Sequence, residues 1–452
     1  MTSFISRLSL PEAVGLSLAV ISPTVTAAFN ITLIVQATGP AAPLTFAIGT
    51  VAMALIALSF IAFSRRLAHA GSAYGYIEHT FGSRMGFMAG WTLLLTYVGF
   101  ATGFAALVGS FTVAAFKGSL IDREHSWLLI GGGAVLLAWY LAYRDMRLAG
   151  RLMLVLEAAA VIGILLLCVS ILRQVHPDPE VGRAVWQPST AFGGWSGLGF
   201  GMVFSILCFA GFEGAATLGE ETINPRRNIP IALLGTVLGS GVFFVFVAYC
   251  EVVGFGMSGI KDLAKSAAPL NDLALRYASA RLAMVLDLAA AISCFSGLLG
   301  GVAAAGRILF ALGRGGLSPA LAFIHPSHRT PSAAISLAAV LILVPFLVWG
   351  PFAGAANYYS YTSTIGVLAL ILIYIGVSGA EIVEARHDRR PVWPVACMLG
   401  PVLLLWVLYC NLYPVPEFPN NLWPYVAFGW VLVAWALTLL PQRARLIPKN
   451  DS

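Results

Sequence analysis

An all-α integral membrane protein with twelve transmembrane helices is the fold class that this sequence predicts. Three observations carry the prediction. Of 452 residues, 59% are hydrophobic and 10% are charged, and the mean hydropathy is +0.86, whereas soluble domains carry about 25% charged residues. Apolar runs of about 20 residues, enough for a helix to cross the hydrocarbon, recur near 13–37, 43–63, 88–116, 127–142, 151–172, 196–218, 230–256, 283–306, 332–350, 358–379, 393–412 and 424–441. Lys and Arg concentrate in alternate loops. With both termini in the cytoplasm, 18 of the 26 fall inside and 8 outside, the bias that orients membrane proteins. A multi-pass protein of the cytoplasmic (inner) membrane is expected.

Other classes fit poorly. The net charge of +6 is scattered through short loops, which does not suggest nucleic acid. The six cysteines lie within or at the ends of apolar runs, without CxxC spacing or a loop disulfide framework. All seven histidines lie in or beside loops, so no metal site and no cofactor is expected. The apolar run from Ala13 to Gln36 exceeds the roughly 7–15 residues of a signal-peptide core and reads as the first membrane helix. No nucleophile and base converge in the membrane, which argues against an enzyme. Short tails argue against a sensor.

Helix 1, EAVGLSLAVISPTVTAAFNITLIVQ, is broken in its middle by Ser22, Pro23, Thr24 and Thr26. Proline removes a backbone donor and clashes with the preceding turn, freeing carbonyls. The hydroxyls there either bind a polar ligand or re-satisfy those carbonyls. After helix 2, SRRLAHAGSAYGYIEHTFG, with Tyr74 and Tyr76, reads as a structured cytoplasmic loop. Helix 3 carries Tyr97, Phe100, Thr102 and Gly103 on one mixed face, for packing or for a ligand. Helix 5 holds one intramembrane acid, Glu157. Such a charge is costly in hydrocarbon, so Glu157 is either a proton carrier or a structural partner of Arg147, Arg151 or a neighbouring helix.

Helix 6 lies in GFGMVFSILCFAGFEGAATLGEETINPRRNIP, from Gly199 to Pro230. Gly211 and Gly214 interrupt it at mid-depth, since glycine weakens a helix. Glu213 between them either serves function or bonds a neighbouring backbone group. The cluster from Glu220 to Pro230 reads as a cytoplasmic hinge and gate element. Glu251 in helix 7 and Asp287 in helix 8 are near enough to the interface to be solvated. In helix 8, Ser293 and Ser296 with Gly297, Gly300 and Gly301 form a small face for close contact, and the two serines would add oxygens to a cation site. In helix 10, Tyr358, Tyr359 and Tyr361 form an interfacial belt or an outer lid.

Helices 1 and 6 are thus both interrupted, five helices apart. Transporters built from inverted repeats carry discontinuous helices at corresponding positions, with substrate between them. Helices 1–5 and 6–10 would be the repeats and helices 11–12 an addition, making one transporter domain over residues 1–452.

Three segments then carry a resemblance. GFEGAATLGEETINPRRNIPIAL, GRILFALGRGGLSPALAFIHPSHRTP and HAGSAYGYIEHTFG resemble the helix 6–7, post-helix 8 and post-helix 2 signatures of the amino acid–polyamine–organocation (APC) permeases. The resemblance covers nearly the whole chain. It implies the LeuT fold, a 5+5 inverted repeat plus two C-terminal helices. It also implies alternating access, and substrate between the unwound centres of helices 1 and 6. On that reading Ser22, Pro23, Thr24, Val25 and Thr26 face Leu207, Cys208, Phe209, Ala210 and Gly211. Phe209 or Phe212 would be an aromatic gate; the helix 3 face adds Tyr97 and Phe100 as candidates for the substrate site, and the lid reading of helix 10 adds Tyr359 as a gate candidate. An α-carboxylate would meet free amides at a half-helix start, and the ammonium would meet free carbonyls. Two positions depart from the pattern: Ser-Pro-Thr replaces the glycines of many relatives in helix 1, and Ala160 stands where some proton-coupled relatives carry lysine. The function implied is a secondary transporter of an amino acid or related amine, coupled to H+ or to Na+. A polyamine or basic amino acid is the alternative cargo.

Overall fold

The computed structural model describes residues 21–66, 73–119, 121–123, 125–144, 148–175, 179–214, 222–326, 330–387 and 393–439, and its regular elements are all helical. In hydrocarbon every backbone group must be satisfied within its own segment, so long apolar runs have one solution. The first crossing, α1, is made of Pro23–Val25, a π-helical turn Thr26–Asn30 and Ile31–Thr38. It is followed by α2 (Ala42–Arg66), α3 (Ser83–Ala115), α4 (Ser126–Tyr143), α5 (Leu148–Gln174) and α6 (Gly194–Phe209). The remaining crossings are α7 (Pro225–Phe255), α8 (Ala280–Arg314), α9 (Ser332–Ala353), α10 (Ala355–His387), α11 (Trp393–Cys410) and α12 (Trp423–Thr438). Among the described residues, nine helical stretches are long and apolar enough to span a membrane, α1 and α2 counting as one, and α6 and α11 are shorter apolar helices.

Four of the first five helices pack on their counterparts five crossings later: α1 on α6, α2 on α7, α3 on α8 and α4 on α9. An odd offset reverses chain direction, so these are antiparallel pairs, the relation that an inverted repeat requires. The α3–α8 contact is close because Gly301 carries no side chain. A Cβ there would lie 2.7 Å from the Ala101 Cβ.

Two short helices occupy matching places in the halves. Ala73–Phe81 lies between α2 and α3. Its Tyr76 stacks on Phe63 at 4.7 Å, and Thr80 donates to Glu384 of α10 at 3.2 Å. Arg66, at the end of α2, pairs with the buried Glu381 at 3.1 Å. Pro269–Tyr277 lies between α7 and α8. Its Tyr277 hydroxyl donates to the Gly254 carbonyl at 2.7 Å, and Asn271 donates to Asp287.

That second helix changes the expectation for two acids. Glu251 and Asp287 are not solvated but buried, 1% and 2% exposed, because α5 and the Pro269–Tyr277 helix close over the ends of α7 and α8. Tyr358 and Tyr359 likewise form no interfacial belt. They are 0% and 1% exposed, and the Tyr358 hydroxyl bonds Thr102 at 2.7 Å.

Candidate functional site

The break in α1 begins at Ser22, whose φ of 52° is left-handed, a region costly for residues with a Cβ. The turn frees the Thr24 amide, which donates to Glu157 Oε1 of α5 at 2.8 Å. A carboxylate at a freed amide does there what a capping side chain does at a helix start. Ser293 of α8 stands beside the same carboxyl, with Cys294 also near. Thr24 Oγ1 and Ser293 Oγ make no hydrogen bond of good geometry. Arg147 and the side chain of Arg151, the other partners considered for Glu157, lie outside the described residues. Pro23 and Val25 are buried, and Ser296, one turn from Ser293, is half-buried.

Helix α6 ends at Phe209, well before the apolar run does. Ala210 turns extended (ψ 129°) and Gly211 has φ +99°, a conformation glycine adopts without a Cβ penalty. The freed Gly211 amide donates to Glu213 Oε2 at 3.2 Å, and the Tyr374 hydroxyl of α10 donates to the same oxygen at 3.0 Å. Phe212 is fully buried between Phe60 at 5.3 Å and Tyr374 at 5.7 Å. Phe209 points the other way and packs on Phe244 of α7 at 5.3 Å. Glu220 and Glu221 lie outside the described residues. Beyond them Asn224 is left-handed (φ 48°) and α7 starts at Pro225.

Thr26 and Asn30 of α1 meet Cys208 of α6 between the two breaks. The Tyr359 hydroxyl donates to Asn30 Oδ1 at 2.8 Å, and its ring lies on Phe29 at 5.6 Å and Phe104 at 6.0 Å. Thr26 Oγ1 and Ser363 Oγ are buried without a good hydrogen bond. Leu207 is buried, while Ala210 and Gly211 are half-buried. On α3, the Tyr97 hydroxyl lies within electrostatic reach of Glu213 and Arg307. Phe100 instead packs on Gly366 of α10, where a Cβ would fall 2.8 Å from its ring. The structure therefore gathers Thr24, Thr26, Cys208, Glu157 and Ser293 around the α1 break, and turns Phe209 and Phe100 into neighbouring packing. Asn30, Tyr374 and Arg307 were not singled out from the sequence. Their signal there was slight, one polar residue each in an apolar run. A cavity of about 600 Å³ lies elsewhere, on the outer face of α2 and α7 by Thr50, Trp186 and Tyr249, with an almost wholly apolar lining.

Residues 8–435 match the family model described as amino acid permease, a span that contains both breaks and their partners. The chain belongs to this family, within the APC superfamily. Relatives extend over most of its length. The branched-chain amino acid permease BcaP of Lactococcus lactis is 27% identical over 425 residues, 87% of this chain and 88% of the relative. The methylthioribose transporter of Bacillus subtilis is 26% identical, over 85% of this chain and 84% of the relative. The low-affinity putrescine importer PlaP of Escherichia coli is 27% identical, over 67% and 66%. The protein is accordingly a multi-pass membrane permease.

Proposed function

We infer that this permease is a secondary transporter of amino acids, working by alternating access in the cytoplasmic membrane with both termini inside. Substrate lies between the α1 and α6 breaks. The observation that carries this reading is the meeting of Thr26 and Asn30 with Cys208 where both helices are interrupted, with the unsatisfied Thr24 and Thr26 hydroxyls beside it. Buried hydroxyls left without partners cost about 1–3 kcal/mol each, and a zwitterionic ligand supplies both donors and acceptors to them. Glu213 is engaged by Gly211 and Tyr374, so it is not offered to a second ammonium. That favours an amino acid over a polyamine.

Glu157 is the coupling residue in this reading. Its carboxylate holds the Thr24 amide, the kind of freed donor that a substrate carboxylate also seeks. Displaced by substrate, Glu157 loses its partner and takes a proton, so substrate and H+ bind together. Sodium is the second reading, favoured by the convergence of Glu157 and Ser293 oxygens beside Thr24. Uptake of a labelled amino-acid panel into proteoliposomes, under a pH gradient or a sodium gradient, tests both. Accumulation of a neutral amino acid under an inward proton gradient is expected. Accumulation driven by sodium alone would select the second reading, and uptake of no amino acid or amine would overturn the function.

A further inference from the structure

Arg307 is an ionisable residue inside a membrane helix that the site above does not use. It lies seven residues from the end of α8, roughly 10 Å along the axis. Ionisable groups at such depth face water or a partner rather than lipid. Arg307 is exposed, and among the described residues it makes no ion pair or hydrogen bond. It lies within electrostatic reach of the Tyr97 hydroxyl on α3, as does Glu213.

The helix face that carries Arg307 leads back to the α1 break. Ser293, Ser296, Gly300, Ala304, Arg307 and Arg314 follow one another at intervals of three, four or seven residues, which places them along one side of a helix. Ser293 is 2% exposed with its hydroxyl unsatisfied. Ser296 is half-buried, and Gly300, Arg307 and Arg314 are exposed. No large apolar side chain interrupts this strip, whereas Leu298, Val302, Ala305 and Leu309 on the opposite side are buried. A face of small and polar residues, more exposed toward its end, thus runs from the Glu157–Thr24–Ser293 cluster to the end of the bundle that we assign to the cytoplasm. Glu213, which shares the surroundings of Tyr97 with Arg307, already accepts two hydrogen bonds.

We propose that Arg307 receives the carboxylate of the substrate on its path between the α1 break and the cytoplasmic mouth, selecting carboxylate-bearing amino acids over amines that lack one. The inference rests on the transport reading above and deepens it. Guanidinium suits the task because its planar fork holds a carboxylate through two parallel hydrogen bonds. Exposure limits the strength of the contact and makes it sensitive to salt.

The test uses full-length protein in proteoliposomes, with L-leucine as transported probe and L-leucinamide, which lacks the carboxylate, as competitor. Arg307→Gln is expected to raise the KM for L-leucine exchange about fivefold, with a smaller change in kcat. It should leave the inhibition constant of L-leucinamide unchanged. Arg307→Lys should restore most of the loss. The wild-type KM should rise with ionic strength, and the Gln variant should lose that dependence. An unchanged KM in the Gln variant would overturn the proposal. So would an equal loss for L-leucinamide, which would mark Arg307 as structural or as a gate partner of Glu213. Wild-type protein that carries amines but no amino acid would refute the carboxylate role while leaving transport standing. Failure of the wild type to carry any of these compounds would remove the transport reading, and this inference with it.

Discussion

At the scale of single residues, two carboxylates do similar work at the two breaks. Glu157 accepts from the Thr24 amide and Glu213 from the Gly211 amide. Each satisfies a donor that its broken helix has released. The consequences of substitution separate geometry from charge. Glu157→Gln keeps an acceptor oxygen for Thr24, so folding and substrate binding should persist while pH-gradient-driven accumulation is lost. Accumulation equal to wild type in that variant would remove Glu157 as the coupling group. Glu157→Ala leaves the amide unpaired, at a cost of about 1–3 kcal/mol, and should lower the melting temperature of purified protein where Gln does not. Glu157 was visible in the sequence as an intramembrane acid, but its partner was not. Nothing in a linear reading brings residue 157 to residue 24, because the pairing depends on how α5 lies across α1.

Among elements, the interruptions of α1 and α6 were legible because their causes are local. Ser-Pro-Thr and the Gly211–Gly214 pair each defeat helix continuity on their own. Gly211, at φ +99°, is the sharper case. Gly211→Ala should cost roughly 1–3 kcal/mol and reduce transport, measured by thermal melting and L-leucine exchange; a neutral result would show that the α6 turn relaxes freely. What the sequence concealed at this scale was tertiary closure. Glu251 and Asp287 sit near the ends of their apolar runs and look solvated, until the Pro269–Tyr277 helix is folded over them. Tyr358 and Tyr359 look like interfacial residues for the same reason, and prove to be core once α10 packs beside α1 and α3. Periodicity reports which residues are apolar, but not which end of a helix another segment covers.

For the whole molecule, α1 to α4 each pack on the helix five crossings on, which interlocks the first and second sets of helices and puts the α1 and α6 breaks side by side. The short helices tie the ends of this assembly. At one end the tie is the Arg66–Glu381 pair, with Glu381 buried and Arg66 22% exposed. Removing one member of a buried pair strands the other, a cost of roughly 3 kcal/mol and toward the low end here because Arg66 keeps some water. Arg66→Met should therefore lower thermal stability, and adding Glu381→Leu should recover much of the loss; a double variant no better than the single would argue against the tie. The central claim, that an amino acid binds between the two breaks, is tested most directly by the structure of the purified permease with saturating L-leucine. Ligand density is predicted against Thr24, Thr26, Asn30 and Cys208, with the Glu157 carboxyl moved off the Thr24 amide. Density confined to the apolar groove beside Thr50 and Tyr249, with the α1 and α6 breaks unchanged, would contradict it.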